Sequence, residues 1–216
     1  MATLNILYHG LSCFEIEAKF GSKEMRVVTD PYNTKGTGFR LPRTLSADIL
    51  TVSRDSEQHN NIEAVAKPGL LITEPGEYEK GGVFVYGIPA KAEAETGMNI
   101  IYRYEFEDIT VAHLGDLTHK LTDEEFSRLE KVDILLLPIG GGEAIDYKVA
   151  AEIANQIEPR IIIPMHYKMP GLEAKLDGVE KFLKEYGAKA ETMPKLKIAK
   201  KDFPQEETKV IILEKP

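Results

Sequence analysis

Tryptophan is absent from this chain of 216 residues, and cysteine occurs once, at Cys13. A lone thiol excludes an intramolecular disulfide and fits a cytoplasmic protein. Positive charge is also short: 27 basic residues face 35 acidic ones, for a net charge of −8. That balance argues against the basic face a nucleic-acid partner requires. No apolar run approaches bilayer-spanning length. The opening "MATLNILYHG" lacks the basic start and long apolar core of a signal peptide. Neither a repeat, a low-complexity segment nor a linker interrupts the chain. The expectation is therefore one domain, residues 1–216, in the cytoplasm, with no nucleic-acid or membrane partner. A homo-oligomer is compatible with this. Hydrophobic residues make up 43%, enough for a sizeable core.

The first hundred residues read as strands and turns. "LNILYHG" and "CFEIEAKF" flank a turn, and "MRVVTDPY" is a strand stopped at Asp30-Pro31. "GLLITEPGEYEKGGVFVYGIPA" reads as two strands about a glycine turn, and "NIIYRYEFEDITVAHLGD" as a hairpin turning at Glu107-Asp108. After that, helices alternate with strands. Thr122 and Glu125 form a capping-box pattern. Val149, Ala150, Ile153, Ala154 and Ile157 recur at helical spacing. "RIIIPMHYK" reads as a buried strand ending at Pro164, "LDGVEKFLKEYG" as an amphipathic helix closed by Gly187, and "KLKIAK" and "KVIILEK" as closing strands. Strands followed by strand–helix alternation define a layered α/β fold.

Chemistry-bearing residues collect where apolar runs stop. His9 ends "NILY", His59 follows "DILTV", His113 ends "DITVA" just before Gly115-Asp116, and His166 ends "RIIIPM". Loops beyond strand ends are where open sheets place functional groups. His59, Asp116 and His166 together supply two imidazoles and a carboxylate, a sufficient set for Zn²⁺, Fe²⁺ or Mn²⁺. His119 begins a polar helical segment and reads as a surface residue.

In these motifs the chain resembles the metallo-β-lactamase superfamily, and within it the Zn-dependent hydrolase group akin to the ascorbate-phosphate lactonases. The matching stretches run nearly end to end: "YHGLSCFEIE", "VVTDPY", "ADILTVSRDSEQHNN", "PGEYEKGGVFVYGIPA", "VAHLGDL", "VDILLLPIGGG" and "IEPRIIIPMHYK". The resemblance implies a four-layer αββα sandwich with metal at one sheet edge. The family's metal loop reads HxHxDH, and two ions then share a hydroxide. In this chain Arg54, Ser56 and Gln58 occupy the first three ligand places of that loop, and His59 keeps the last. The later histidine expected after "IPA" is missing, where Lys91 and Ala92 stand. Asp116 matches the bridging carboxylate and His166 the last ligand. His113, His9, Asp30 and Gln58 are accessory candidates.

The resemblance thus implies a site for at most one divalent ion (Zn, alternatively Mn, Fe or Ni) on His59, Asp116 and His166, or none. Asp116 would work together with the water that ion holds. Arg54, standing where a metal was, suits a small anionic molecule, with Lys91 as a helper; the plainer expectation pairs Arg54 with Asp30 or Asp55. Two functions remain open. One is a metal-dependent hydrolase of small lactones, esters or phosphorylated metabolites. The other is an inactive family member acting as a binding or assembly module.

Overall fold

A computed structural model describes residues 1–91 and 97–216, Lys91 by its backbone only. Two sheets face each other. The first holds β1 (Ala2–Gly10), β2 (Cys13–Phe20), β3 (Lys23–Thr29), β4 (Ile49–Thr51), β5 (Leu70–Ile72) and β13 (Leu196–Ala199). Its order is β13-β1-β2-β3-β4-β5. The second holds β6 (Gly76–Lys80), β7 (Val83–Lys91), β8 (Met98–Phe106), β9 (Ile109–His113), β10 (Ile134–Pro138), β11 (Ile161–Met165), β12 (Ala190–Met193) and β14 (Lys209–Leu213). Its order is β12-β14-β11-β10-β9-β8-β7-β6.

Each sheet begins as an antiparallel meander and turns parallel towards the site. β3, β4 and β5 run parallel in the first sheet, and β9, β10, β11 and β14 in the second. The sequence dictates this change. β1 alternates buried and half-buried residues, as a one-sided strand should, whereas β10 (ILLLP) and β11 (IIIPM) are buried throughout. Strands apolar on both sides need cover on both faces. The first sheet supplies one cover. Helices α2 (Tyr147–Ile157) and α3 (Val179–Tyr186) lie on the other side, α2 burying Ala150, Ala151, Ile153 and Ala154 and α3 burying Phe182.

The helix ends follow the sequence signals. Thr122 Oγ1 accepts from Glu125 N–H while the Glu125 carboxylate accepts from Thr122 N–H, starting α1 (Asp123–Arg128). Asp146 caps α2 by accepting from the N–H groups of Lys148 and Val149. Gly187 ends α3 with φ +76°. Buried tyrosines tie the sheets together: Tyr102 OH donates to the carbonyls of Val52 and Ile72, and Tyr104 OH meets Thr51 Oγ1 at 2.6 Å.

The αββα architecture read from the sequence is present, with a difference in its outer layer. Among the described residues, the outer face of the first sheet is covered by loops and one 3₁₀ turn, Ile62–Ala64. Tyr32, Phe39, Leu45 and Val65 pack there against Leu11, Cys13, Val28 and Leu50. Two strand readings are also corrected, and one strand was missed. The segment "GLLITEPGEYEKGGVFVYGIPA" forms three strands, because β5 joins the first sheet before the chain crosses at Pro75 to β6 in the second. β11 passes Pro164 and ends at Met165; its pairing with β14 stops at Ile162, so the missing proline N–H falls where the strand is paired on one side. β12, a short and largely exposed edge strand, carried no apolar signal.

Candidate metal centre

The loops beyond the C-terminal ends of β3, β4, β9, β10 and β11 converge at one point. The chain leaves β3 at Asp30, a fully buried aspartate held at φ +40°. Its oxygens accept from Ser53 N–H (2.7 Å), Ser53 Oγ (2.5 Å) and His59 Nδ1 (2.9 Å). Burial opposes the charge of Asp30, but His59 and these hydrogen bonds outweigh it and lower its pKa. Asp30 therefore fixes the polar loop after β4 in two places.

With Nδ1 given to Asp30, His59 presents Nε2 to the interior. Nε2 is buried without a hydrogen-bond partner and lies 3.9 Å from Asp116 Oδ2. Burial alone would lower the pKa of His59; the Asp30 charge and hydrogen bond turn the balance, and it is raised.

Asp116 follows β9 through Gly115, whose φ is +60°. A side chain at 115 would come within 2.4 Å of Asn99 Oδ1 and 2.6 Å of Ser53 Cβ, so glycine is required there. Asn99 holds the turn, accepting from Asp116 N–H at 2.8 Å and donating to the Leu114 carbonyl at 3.0 Å. Asp116 Oδ2 accepts from the Arg54 guanidinium, while Oδ1 is buried with no partner.

His166 leaves β11 at φ +49°, with its N–H bonded to the Leu11 carbonyl at 2.8 Å. Its ring lies beside that of His59, centroids 6.2 Å apart and planes within 15°, and its Nδ1 lacks a partner. Burial pushes its pKa down to about 4. Ligand atoms of His59, Asp116 and His166 all lie within 4.8 Å of one another, and all three residues are buried.

The accessory candidates sort differently. His113 accepts from Gly115 N–H at Nδ1, so Nε2 carries the proton and donates to the Ser12 carbonyl at 2.8 Å. Both nitrogens are spent, burial lowers its pKa, and it supports the site without facing it. His9 lies apart, paired with Glu15 at 3.2 Å beneath the loop layer. Gln58 is half-buried in the loop. The side chain of Lys91 and the position of Ala92 lie outside the described residues. His119 is half-buried rather than free on the surface, and bonds the Glu125 carboxylate.

Arg54 corrects a further expectation. It pairs with neither Asp30 nor Asp55. Asp30 is committed to Ser53 and His59, and Asp55 accepts from Asn60 at 2.6 Å. The guanidinium instead joins Asp116 to Glu143, whose Oε2 is 3.2 Å from its second terminal nitrogen. Sequence reading missed Ser53, Asn99 and Glu143. Of these only Glu143 carried a signal, as the charged residue closing "GGGE" at the end of a buried strand.

The donor set fits one divalent ion. Three buried atoms that could ligate it — His59 Nε2, Asp116 Oδ1 and His166 Nδ1 — have no other partner, although unsatisfied buried polar atoms are costly. The carboxylate behind His59 is the support usual for a ligating imidazole. The positions that the family uses for a second ion hold residues of another kind. The place beside Asp116 is taken by a permanent cation, and Ser56 and Gln58 are poor substitutes for histidine and aspartate.

Two facing sheets with helices outside, and a His–Asp–His cluster on the loops at one edge, define a metallo-β-lactamase fold. Residues 5–166 match the beta-lactamase superfamily domain, and the chain belongs to that family. It is similar to a Zn-dependent hydrolase assigned to the metallo-β-lactamase superfamily from Thermotoga maritima, with 33% identity, 97% of this chain and 98% of that one covered, and a TM-score of 0.79. It is also similar to two relatives named UPF0173 metal-dependent hydrolases. That of Thermoplasma acidophilum is 27% identical over 77% of this chain and 84% of its own length. That of Thermococcus onnurineus is 28% identical over 88% and 95%.

Proposed function

We propose that this protein is a metal-dependent hydrolase working with a single divalent ion held by His59, Asp116 and His166. Its substrates would be small lactones, esters or phosphorylated metabolites. The observation that carries the reading is that ligand atoms of the buried His59, Asp116 and His166 lie within 4.8 Å of one another, and that each of the three residues has a buried polar atom with no hydrogen-bond partner. The names of the relatives support the hydrolase class.

Such an ion, when bound, supplies a Lewis acid and an acidified water at neutral pH. The residues of this chain do the rest. Asp30 keeps the His59 proton on Nδ1 and so keeps Nε2 bare for ligation. Asn99 and Gly115 hold the Asp116 carboxylate in place, with Oδ2 on Arg54 and Oδ1 free of any hydrogen bond. Arg54 contributes a fixed positive charge where the family's other ion would sit. A cytoplasmic setting and the absence of a nucleic-acid partner belong to the same reading, from Cys13 and the net charge of −8.

The test is the metal content of protein purified without chelator and then supplemented with Zn, Mn, Fe or Ni. One ion per chain, lost in His59→Ala and His166→Ala, is expected. Two ions would overturn the single-ion site. No ion at all would leave the fold as a binding or assembly module. Replacing Arg54→His, Ser56→His, Gln58→Asp and Ala92→His together should create a second site.

A further inference from the structure

Arg54 is held unequally at its two ends. One terminal nitrogen bonds Asp116, 4% exposed, and the other faces Glu143, 74% exposed. The Arg54 side chain is 10% exposed, so its position is set by the buried partner. An ion pair with so exposed a carboxylate is worth little, since water competes for both groups. Glu143 also sits in a glycine-rich loop. Gly141 and Gly142 precede it at φ +69° and +77°, and the loop is anchored by Gly141 N–H to the Ile145 carbonyl and Ile145 N–H to the Leu117 carbonyl. Gly140 packs against the His166 backbone, where an added Cβ would meet the carbonyl oxygen at 2.2 Å. The loop thus runs from an anchored base beside His166 to a charged tip on Arg54.

We propose that the outward edge of Arg54 is a binding subsite for a small oxyanion, a carboxylate or a phosphate group of the substrate, and that Glu143 occupies it until that anion arrives. The guanidinium is a planar fork that binds such groups through paired N–H donors. Asp116 consumes one side of it. The other side meets a carboxylate already, so the geometry for an anion is present and the occupant is weakly held. An incoming anion displaces Glu143 into solvent at small cost and lands beside His59, Asp116 and His166. The subsite deepens the hydrolase reading by naming the charge of its substrate, but binding at Arg54 does not depend on a metal.

The experiment is a calorimetric titration of the full chain with inorganic phosphate and, separately, with acetate, on the protein as purified and after chelator treatment. The two titrants distinguish a phosphate subsite from a carboxylate one. Wild type should bind one of them weakly in both preparations. Glu143→Gln, a surface change that leaves the bond of Arg54 to Asp116 in place, should bind it at least about threefold more tightly. Arg54→Gln should abolish binding. Should that variant not fold, the Arg54 guanidinium resonances of ¹⁵N-labelled wild type must shift with phosphate or acetate. Equal affinity in wild type and Glu143→Gln, or unmoved Arg54 resonances, overturns the proposal. Binding that is seen only in the metal-loaded protein and survives Arg54→Gln also overturns it, because the anion then sits on the ion. A protein without metal that still shows the Glu143→Gln gain would defeat the single-ion reading and leave the subsite standing.

Discussion

Asp30 Oδ2 and His59 Nδ1 lie 2.9 Å apart, in a pair that is 0% and 1% exposed. A carboxylate behind an imidazole fixes both the tautomer and the ring direction, and it makes the far nitrogen a better donor. Removing that charge while keeping the shape isolates its effect. Asp30→Asn should weaken metal binding by about 10- to 100-fold. Competition against a chromophoric chelator reads this directly. An unchanged affinity would mean that packing alone orients His59.

Arg54 neutralises Asp116, and both side chains are largely buried. Taking away one member of such a pair strands the other charge. Arg54→Met should destabilise the metal-free protein by about 3 kcal/mol. The penalty should shrink when metal is added, since an ion gives Asp116 a new partner. Urea unfolding with and without metal measures both numbers.

The acid side of the stability curve has a defined sign. His166 is held neutral by burial, with a pKa of about 4 against 6.5 for the free side chain. Its contribution is complete above 6.5 and is lost as pH falls from there through 4, because the unfolded chain takes up the proton first. The loss from this residue amounts to about 3 kcal/mol. His113, also depressed, acts in the same sense, whereas the raised pKa of His59 acts in the opposite one. Unfolding midpoints for chelated protein should therefore drop between pH 7 and pH 5, and drop less in His166→Asn.

Gly115 tests how tightly the Asp116 turn is built. Alanine there combines an unfavourable φ of +60° with contacts below 3 Å to Asn99 and Ser53. Gly115→Ala should cost about 3 kcal/mol and lower metal content with it. Gly21→Ala, at a turn with open space around it, is the control for positive φ alone.

The architecture was readable because its signals are local and repetitive. Apolar runs such as "DILLLP" and "RIIIPM" leave no alternative to doubly covered strands, and the Thr122–Glu125 box and Gly187 mark helix ends wherever they occur. That His59, Asp116 and His166 would come together was readable for a different reason: each follows an apolar run in the chain, and the family motif orders them. What could not be read is which charges would pair across the chain. Arg54 has acidic neighbours in sequence at Asp55 and Glu57, yet its partners are Asp116 and Glu143, brought in by two other strands. Nor could the roles of Ser53 and Asn99 be read, since a serine or asparagine that orients a carboxylate looks like any loop residue until the loop is folded. β5 was hidden for the same reason, because three residues acquire strand character only when β4 lies beside them.

The bond from His166 N–H to the Leu11 carbonyl joins residues far apart in the chain, and His113 reaches the adjacent Ser12 carbonyl. The residues of the cluster are therefore made at widely separated times during synthesis. A ribosome that has emitted Asp30 and His59 has yet to make the second sheet and the carboxylate and imidazole that lie against them. The same centre lacks its final imidazole until β11 has emerged and docked between β10 and β14. Domains assemble as units once their sequence is available, so the cluster closes only at the end of translation, and a metal taken up there would act as a seal on a finished fold rather than a seed for it.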